Sequence, residues 1–156
     1  MNNLQLKALR QGLGLTVADA AELVGVTKRS FQYWEDGSRQ IPNDLSLHFS
    51  IMQSHFSMIF YFMVEDIAKA TIYNDPDDDT KPMTVTPAMP FFLKFEDFVK
   101  ATDCQHIVYW RIYQSVTSQL LLAGKISKLN DDAKIPKNFR IWKWFGGNYE
   151  HQDSIS

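Results

Sequence analysis

Apolar residues recur at helical intervals through the first forty residues, broken by glycines. Leu4, Leu6, Leu9 and Leu13 predict a helix over residues 3–13 that ends near Gly12 and Gly14. Thr16 is placed to cap a second helix carrying Val17, Ala20, Ala21, Leu23 and Val24. Gly25 supplies a tight turn, because glycine tolerates the positive φ that such a turn needs. Thr27 then caps a third helix with Phe31 and Trp34 on one face, and Gly37 stops it.

Pro42 suits the first turn of another helix. Over residues 44–72, Leu45, Phe49, Met52, Phe56, Ile59 and Met63 alternate in steps of four and three. A second stripe, Leu47, Ile51, Met58 and Phe62, runs along another side of the same helix. One stripe can pack on the chain's own body, and the other points to a partner chain. Asn74-Asp75-Pro76-Asp77-Asp78-Asp79 reads as a turn or exposed linker. Its aspartates invite a calcium loop, but Pro76 and the lack of the loop glycine and distal glutamate fit an EF-hand poorly. Residues 83–93 predict short edge strands limited by Pro87 and Pro90. Residues 95–102 predict a short helix. Residues 106–123 predict a longer one, with Ile107, Trp110, Val116, Leu120 and Leu121 turned inward. Residues 126–156 read as irregular, aromatic and partly basic.

The fold expected is mainly α: a helix-turn-helix unit at 1–43, a helical dimerisation and core unit at 44–128 with a short β element, and an aromatic, basic tail at 129–156. The composition, 45% apolar and 22% charged, is that of an ordinary globular chain. The longest apolar stretch, residues 56–64, is nine residues interrupted by Ser57, against the roughly 18 needed to span a bilayer. No secretory signal is read in Met1-Asn2-Asn3-Leu4, and Cys104 has no second cysteine to pair with, so a cytoplasmic protein is expected.

The net charge of −2 argues weakly against a polyanionic partner for the chain as a whole, but charge is unevenly spread. Residues 1–42 hold five bases (Lys7, Arg10, Lys28, Arg29, Arg39) and four acids (Asp19, Glu22, Glu35, Asp36). Residues 134–145 hold four bases (Lys134, Lys137, Arg140, Lys143) and no acid. With Val26, Phe31 and Trp34 turned inward, the third helix presents Thr27, Lys28, Arg29, Ser30, Gln32 and Tyr33 outward from its start. The N-terminal end of a recognition helix enters the major groove in this geometry. Arg29 can pair with guanine, Lys28 can do the same or hold a phosphate, and Gln32 can read adenine. Tyr33 offers a ring edge to a thymine methyl and a hydroxyl to a phosphate. Thr27 and Ser30 suit phosphate oxygens near the helix N-terminus, and Arg39 adds a backbone clamp. Double-stranded DNA is therefore the expected partner.

Ala21-x-x-x-Gly25-Val26-Thr27 followed by Trp34-Glu35-x-Gly37 resembles the lambda-repressor-like (Xre-type) DNA-binding domains. The resemblance implies a structural ion pair between a first-helix arginine and the glutamate after the aromatic position, here Arg10 and Glu35. Val17 departs from the glutamine that often opens the second helix there, which puts one phosphate or base contact in doubt. The run Arg29-Ser30-Phe31-Gln32-Tyr33-Trp34-Glu35-x-Gly37, taken with Tyr109-Trp110-Arg111-Ile112-Tyr113-Gln114-Ser115-Val116, is similar to the YdiL-like and anti-CRISPR-associated regulators. That resemblance implies a homodimeric autorepressor whose C-terminal region dimerises.

Two rival uses stand beside this reading. The second unit could grip a protein partner, as in an antitoxin. The stretch Lys137-Asn-Phe-Arg-Ile-Trp-Lys-Trp-Phe145 could stack on RNA bases, or its Phe139, Trp142 and Phe145 could form a strap over the second unit. Trp110, Arg111 and Gln114 could line a ligand site, or anchor a packed helix. His48, His55, His106 and His151 have no zinc spacing, Cys104 lies in no catalytic signature, and no phosphate loop or nucleophile elbow occurs. No cofactor, metal, membrane association or enzymatic activity is expected.

Overall fold

The computed structural model describes residues 1–70, 72–75, 77–84 and 87–145, the segments 72–75 and 78–84 by their backbone. The chain folds as a mainly helical protein with short β elements.

Three short helices build the N-terminal head: α1 Asn3–Gly12, α2 Val17–Leu23 and α3 Lys28–Glu35. Each begins at a side-chain cap. Asn2 accepts from the Gln5 amide at 2.9 Å, Thr16 from the Asp19 amide at 3.1 Å, and Thr27 from the Ser30 amide at 3.1 Å. Asp19 answers by accepting the Thr16 amide at 2.9 Å, which closes a capping box. Gly25, at φ +70, turns the chain between α2 and α3. Leu6, Leu13, Leu15, Ala20, Ala21 and Phe31 fill the space between the three helices, and Trp34 is half-buried at its edge. Leu4 is instead 71% exposed. It stands two residues, about 200°, from Leu6 on the helix, so the two cannot share one inner face.

A single long helix, α4 Asn43–Ala70, carries the head into the body. Its inner face buries Leu45, Phe49, Met52, Ile59, Met63 and Ile67, with Phe56 half-buried among them. The helix ends two residues before the expected limit, and an antiparallel hairpin follows. Strand β1 Ile72–Asp75 pairs with β2 Asp78–Thr84 in the register Ile72 to Thr84 and Tyr73 to Met83. A β-branched residue beside an aromatic one at Ile72-Tyr73 favours the extended chain, and Pro82 is tolerated because a two-stranded sheet is all edge. Pro76 lies outside the described residues, so the aspartate-loop reading is not described as a whole. Val85 and Thr86, in the segment expected to give edge strands, lie outside as well.

Strand β3 Ala88–Pro90 runs parallel to β4 Lys128–Asn130, with Met89 opposite Leu129. The crossover between them holds α5 Phe95–Thr102 and α6 Ile107–Leu122. The central helix is α6, burying Val108, Trp110, Ile112, Tyr113, Val116 and Leu120. Leu121, expected inward, is 39% exposed, and Ile107 is only half-buried. The inner line through Tyr113, Val116 and Leu120 leaves Leu121 about 100° off. Polar atoms of α6 satisfy the backbone at the end of β3 and just past it: Trp110 and Gln114 donate to the Phe92 carbonyl at 2.9 and 2.8 Å, and Tyr113 donates to that of Pro90 at 2.8 Å.

The expected irregular region contains β4 and a 3-10 helix, Arg140–Phe145. Phe139, Ile141 and Phe145 are buried against α4 and α6, so this segment is a strap over the body. Residues 146–156, with His151, lie outside the described part. No helix among the described residues is long and apolar enough to cross a membrane.

Candidate nucleic-acid interface

The burial of Phe31 fixes which way α3 faces. Thr27, Lys28, Arg29 and Gln32 are exposed, and Ser30 and Tyr33 are half-buried. The Thr27 hydroxyl is engaged by the Ser30 amide and lies 3.0 Å from the Ser30 hydroxyl, so this pair serves the cap before any outside oxygen. Arg29 Nε donates to Tyr33 Oη at 2.6 Å. Beyond the end of α3, Gly37 at φ +81 turns the chain, and the Arg39 amide bonds the Tyr33 carbonyl at 3.0 Å. This return places the Arg39 guanidinium over the Tyr33 ring, 4.6 Å from its centre, with that of Arg29 at 5.6 Å. Arg29, Tyr33 and Arg39 thus form one cationic group, although Arg39 lies beyond the end of the helix that carries the other two.

A shallow open cleft runs beside this group, lined by Lys7, Val17, Arg29, Gln32, Tyr33 and Asp36. Lys7 is not among the contact residues that the sequence predicts, yet it sits three residues before Arg10 and so lies on a neighbouring part of α1. Asp36 puts an acid at the rim. Hydrogen bonds from Ser38 hold its carboxyl below the usual carboxylate range, so it stays charged.

Arg10 and Glu35 meet at the floor of this cleft and line it too. Arg10 Nε lies 2.5 Å from Glu35 Oε1, Nη2 lies 3.2 Å from Oε2, and Nη1 donates to the Leu15 carbonyl at 2.8 Å. Both side chains are about nine-tenths buried. This pair ties α1 to the end of α3 and turns its charges away from solvent.

The other chemistry-bearing residues are committed to the fold. Trp110 and Gln114 hold the backbone near β3, and Arg111 donates to Asp19 Oδ2 at 3.1 Å. Arg140 is held by Asp66 at 2.8 Å and Glu65 at 2.7 Å, and Trp142 Nε1 donates to the Pro136 carbonyl. Phe139 and Phe145 face the core, where they offer no stacking surface to a base. Burial pushes the Cys104 thiol upward, away from thiolate chemistry. His55 Nδ1 lies 3.2 Å from Tyr109 Oη, and the described residues contain no group of three metal-ligating side chains.

The fold and site together define a class: a three-helix head presenting one basic helix face, carried on a helical body. Within it, the chain belongs to the Aca2/YdiL-like family, whose family model matches residues 1–129. A relative described as "Aca2 repressor", from Pectobacterium phage ZF40, is 29% identical over 125 residues. The match covers 80% of this chain and 96% of that protein.

Proposed function

We propose that this chain is a repressor that reads a palindromic operator in duplex DNA as a homodimer, inserting the start of α3 into the major groove. The observation that carries the reading is the exposed face of α3. Lys28, Arg29 and Gln32 stand clear of the core, and Arg29 and Arg39 converge on Tyr33. The name of the relative supports repression, and a cytoplasmic site of action follows from the location of the target. In this reading the chain has no catalytic part and needs no cofactor.

Arg29 is free to turn its terminal nitrogens to a guanine edge, with Nε fixed by Tyr33. Gln32, one helical turn from Lys28, reads a second base, and Lys28 reads a base or holds a phosphate. Thr27, Ser30 and Arg39 contact the backbone. The partner copy is supported by α4. Leu47, Ile51, Met58 and Tyr61 are all exposed and fall at helical spacings along one side. Phe62, expected in that stripe, is half-buried instead, with the Arg140 and Lys143 cations over its ring. Two heads about 34 Å apart would meet successive major grooves.

The test is a gel-shift titration on the duplex upstream of the protein's own coding sequence, at two salt concentrations. Affinity should fall steeply with salt, and Arg29→Ala should cost about 1–3 kcal/mol and relax one base position. Binding indifferent to Arg29 would instead favour a protein or RNA partner.

A further inference from the structure

Two side chains of α6 reach across to the turn between α1 and α2. Ser115 Oγ donates to the Gly12 carbonyl at 2.7 Å, and Arg111 Nε donates to Asp19 Oδ2 at 3.1 Å. That same carboxylate oxygen accepts the Thr16 amide, so the group that caps α2 is also the anchor for α6. Gly14 lies between the two contacts at φ +76. A Cβ there would stand 2.9 Å from the Arg111 carbonyl oxygen and 3.3 Å from Ser115 Cβ. The approach of α6 to this turn therefore depends on glycine.

Arg111 is itself held in place. Its guanidinium lies 4.3 Å from the centre of the Trp110 ring, and Nη1 donates to Gln114 at 3.4 Å. Trp110 and Gln114 are in turn fixed to the Phe92 carbonyl. On the other side of Asp19, Arg10 joins the α1–α2 turn to α3 through Leu15 and Glu35. A polar chain thus runs from the body through α2 and α1 to the end of α3.

We propose that Arg111 and Asp19 are positioning residues that fix the angle of the head on the body, and so set the spacing between operator half-sites without touching DNA. The proposal rests on the DNA-reading dimer described above. One base pair more or less between half-sites moves the second groove by about 3.4 Å and turns it by about 35°. A head tied to α6 at both Gly12 and Asp19 cannot follow that change, whereas a head released at Asp19, held only at Gly12 and along α4, can.

The experiment is selection from a random 30-base-pair duplex pool by the wild-type protein, Arg111→Gln and Asp19→Asn. Asn keeps an oxygen for the Thr16 amide but lacks the charge. The wild type should enrich one half-site motif, paired at a single spacing. Both variants should enrich the same motif at that spacing and at spacings one base pair away, and bind the wild-type spacing roughly three- to thirtyfold more weakly. The same single spacing in all three proteins overturns the proposal and leaves DNA reading intact. Loss of the motif in both variants also overturns it, because the contacts then maintain the head's fold rather than its angle. A lone half-site, or no motif, from the wild type removes the dimer or the DNA reading, and this proposal with it.

Discussion

Tyr33 holds two guanidiniums with one side chain: its hydroxyl fixes Arg29 Nε and its ring lies under Arg39. Removing only the hydroxyl separates these roles. Tyr33→Phe should leave the fold and the Arg39 stacking intact and lower operator affinity by about 1 kcal/mol, with discrimination falling at the base read by Arg29. Competition gel shifts with single-base operator variants check this, and equal losses at every position would assign Tyr33 to the DNA backbone instead. The buried pair behind it acts on stability. Glu35→Gln leaves the Arg10 charge in a site about nine-tenths closed, and should destabilise the protein by about 3 kcal/mol, read from the urea midpoint. A shift below about 0.5 kcal/mol would mean that the Leu15 carbonyl and water satisfy Arg10 alone. The residue types of α3 were legible because each acts within one helical turn. Lys7 was not, and Arg111 was legible as a helix anchor but without its partner, since the places beside the cleft and beside Asp19 depend on packing between elements.

The head helices could be read from the sequence because their signals are local: Thr16 and Thr27 cap within three residues, and Gly25 turns the chain on its own. Strand β4 could not. Its three residues carry no period, and their partner strand lies some forty residues earlier. Apolar spacing marked α4 and α6 but left their rotation open by one residue, so Leu121 and Phe62 were placed on the wrong sides. The outer face of α4 has a consequence that can be measured. Leu47→Glu with Ile51→Glu puts two like charges into a stripe that is open in the single chain, so monomer stability should move by less than about 1 kcal/mol. If that stripe is the seam between copies, sedimentation of the double variant should show monomer where the wild type sediments as a dimer. A dimer that survives both charges would move the interface to another element.

Across the whole molecule, one apolar core runs from Leu6 and Phe31 in the head through Phe49 and Ile59 to Phe98, Tyr113 and Phe145 beneath the strap. Among the described residues the strap is the last segment laid on this core, and its polar attachment is a cluster of charges. Arg140 meets Asp66 and Glu65, and its backbone amide also donates to Asp66 at 2.8 Å. The hydrogen bond from Arg140, and then that from Tyr61, hold the Glu65 carboxyl below its ordinary value, while the arginine stays charged throughout. A carboxyl lowered on folding contributes its full stabilisation above its unfolded value, about pH 4.3, and loses it as pH falls through the lower folded value. The strap should therefore be held equally well from neutral pH down to about 5 and loosen in acid. Trp142 and Trp144 report this directly: their fluorescence should change below about pH 4 while far-UV helix content persists. In Arg140→Gln the acid-sensitive step should shrink and move up towards the ordinary carboxylate range, because the largest influence on the Glu65 carboxyl is gone and only Tyr61 and Lys69 still lower it. A fluorescence step of unchanged midpoint in that variant would show that the strap is held by Phe139, Ile141 and Phe145 alone.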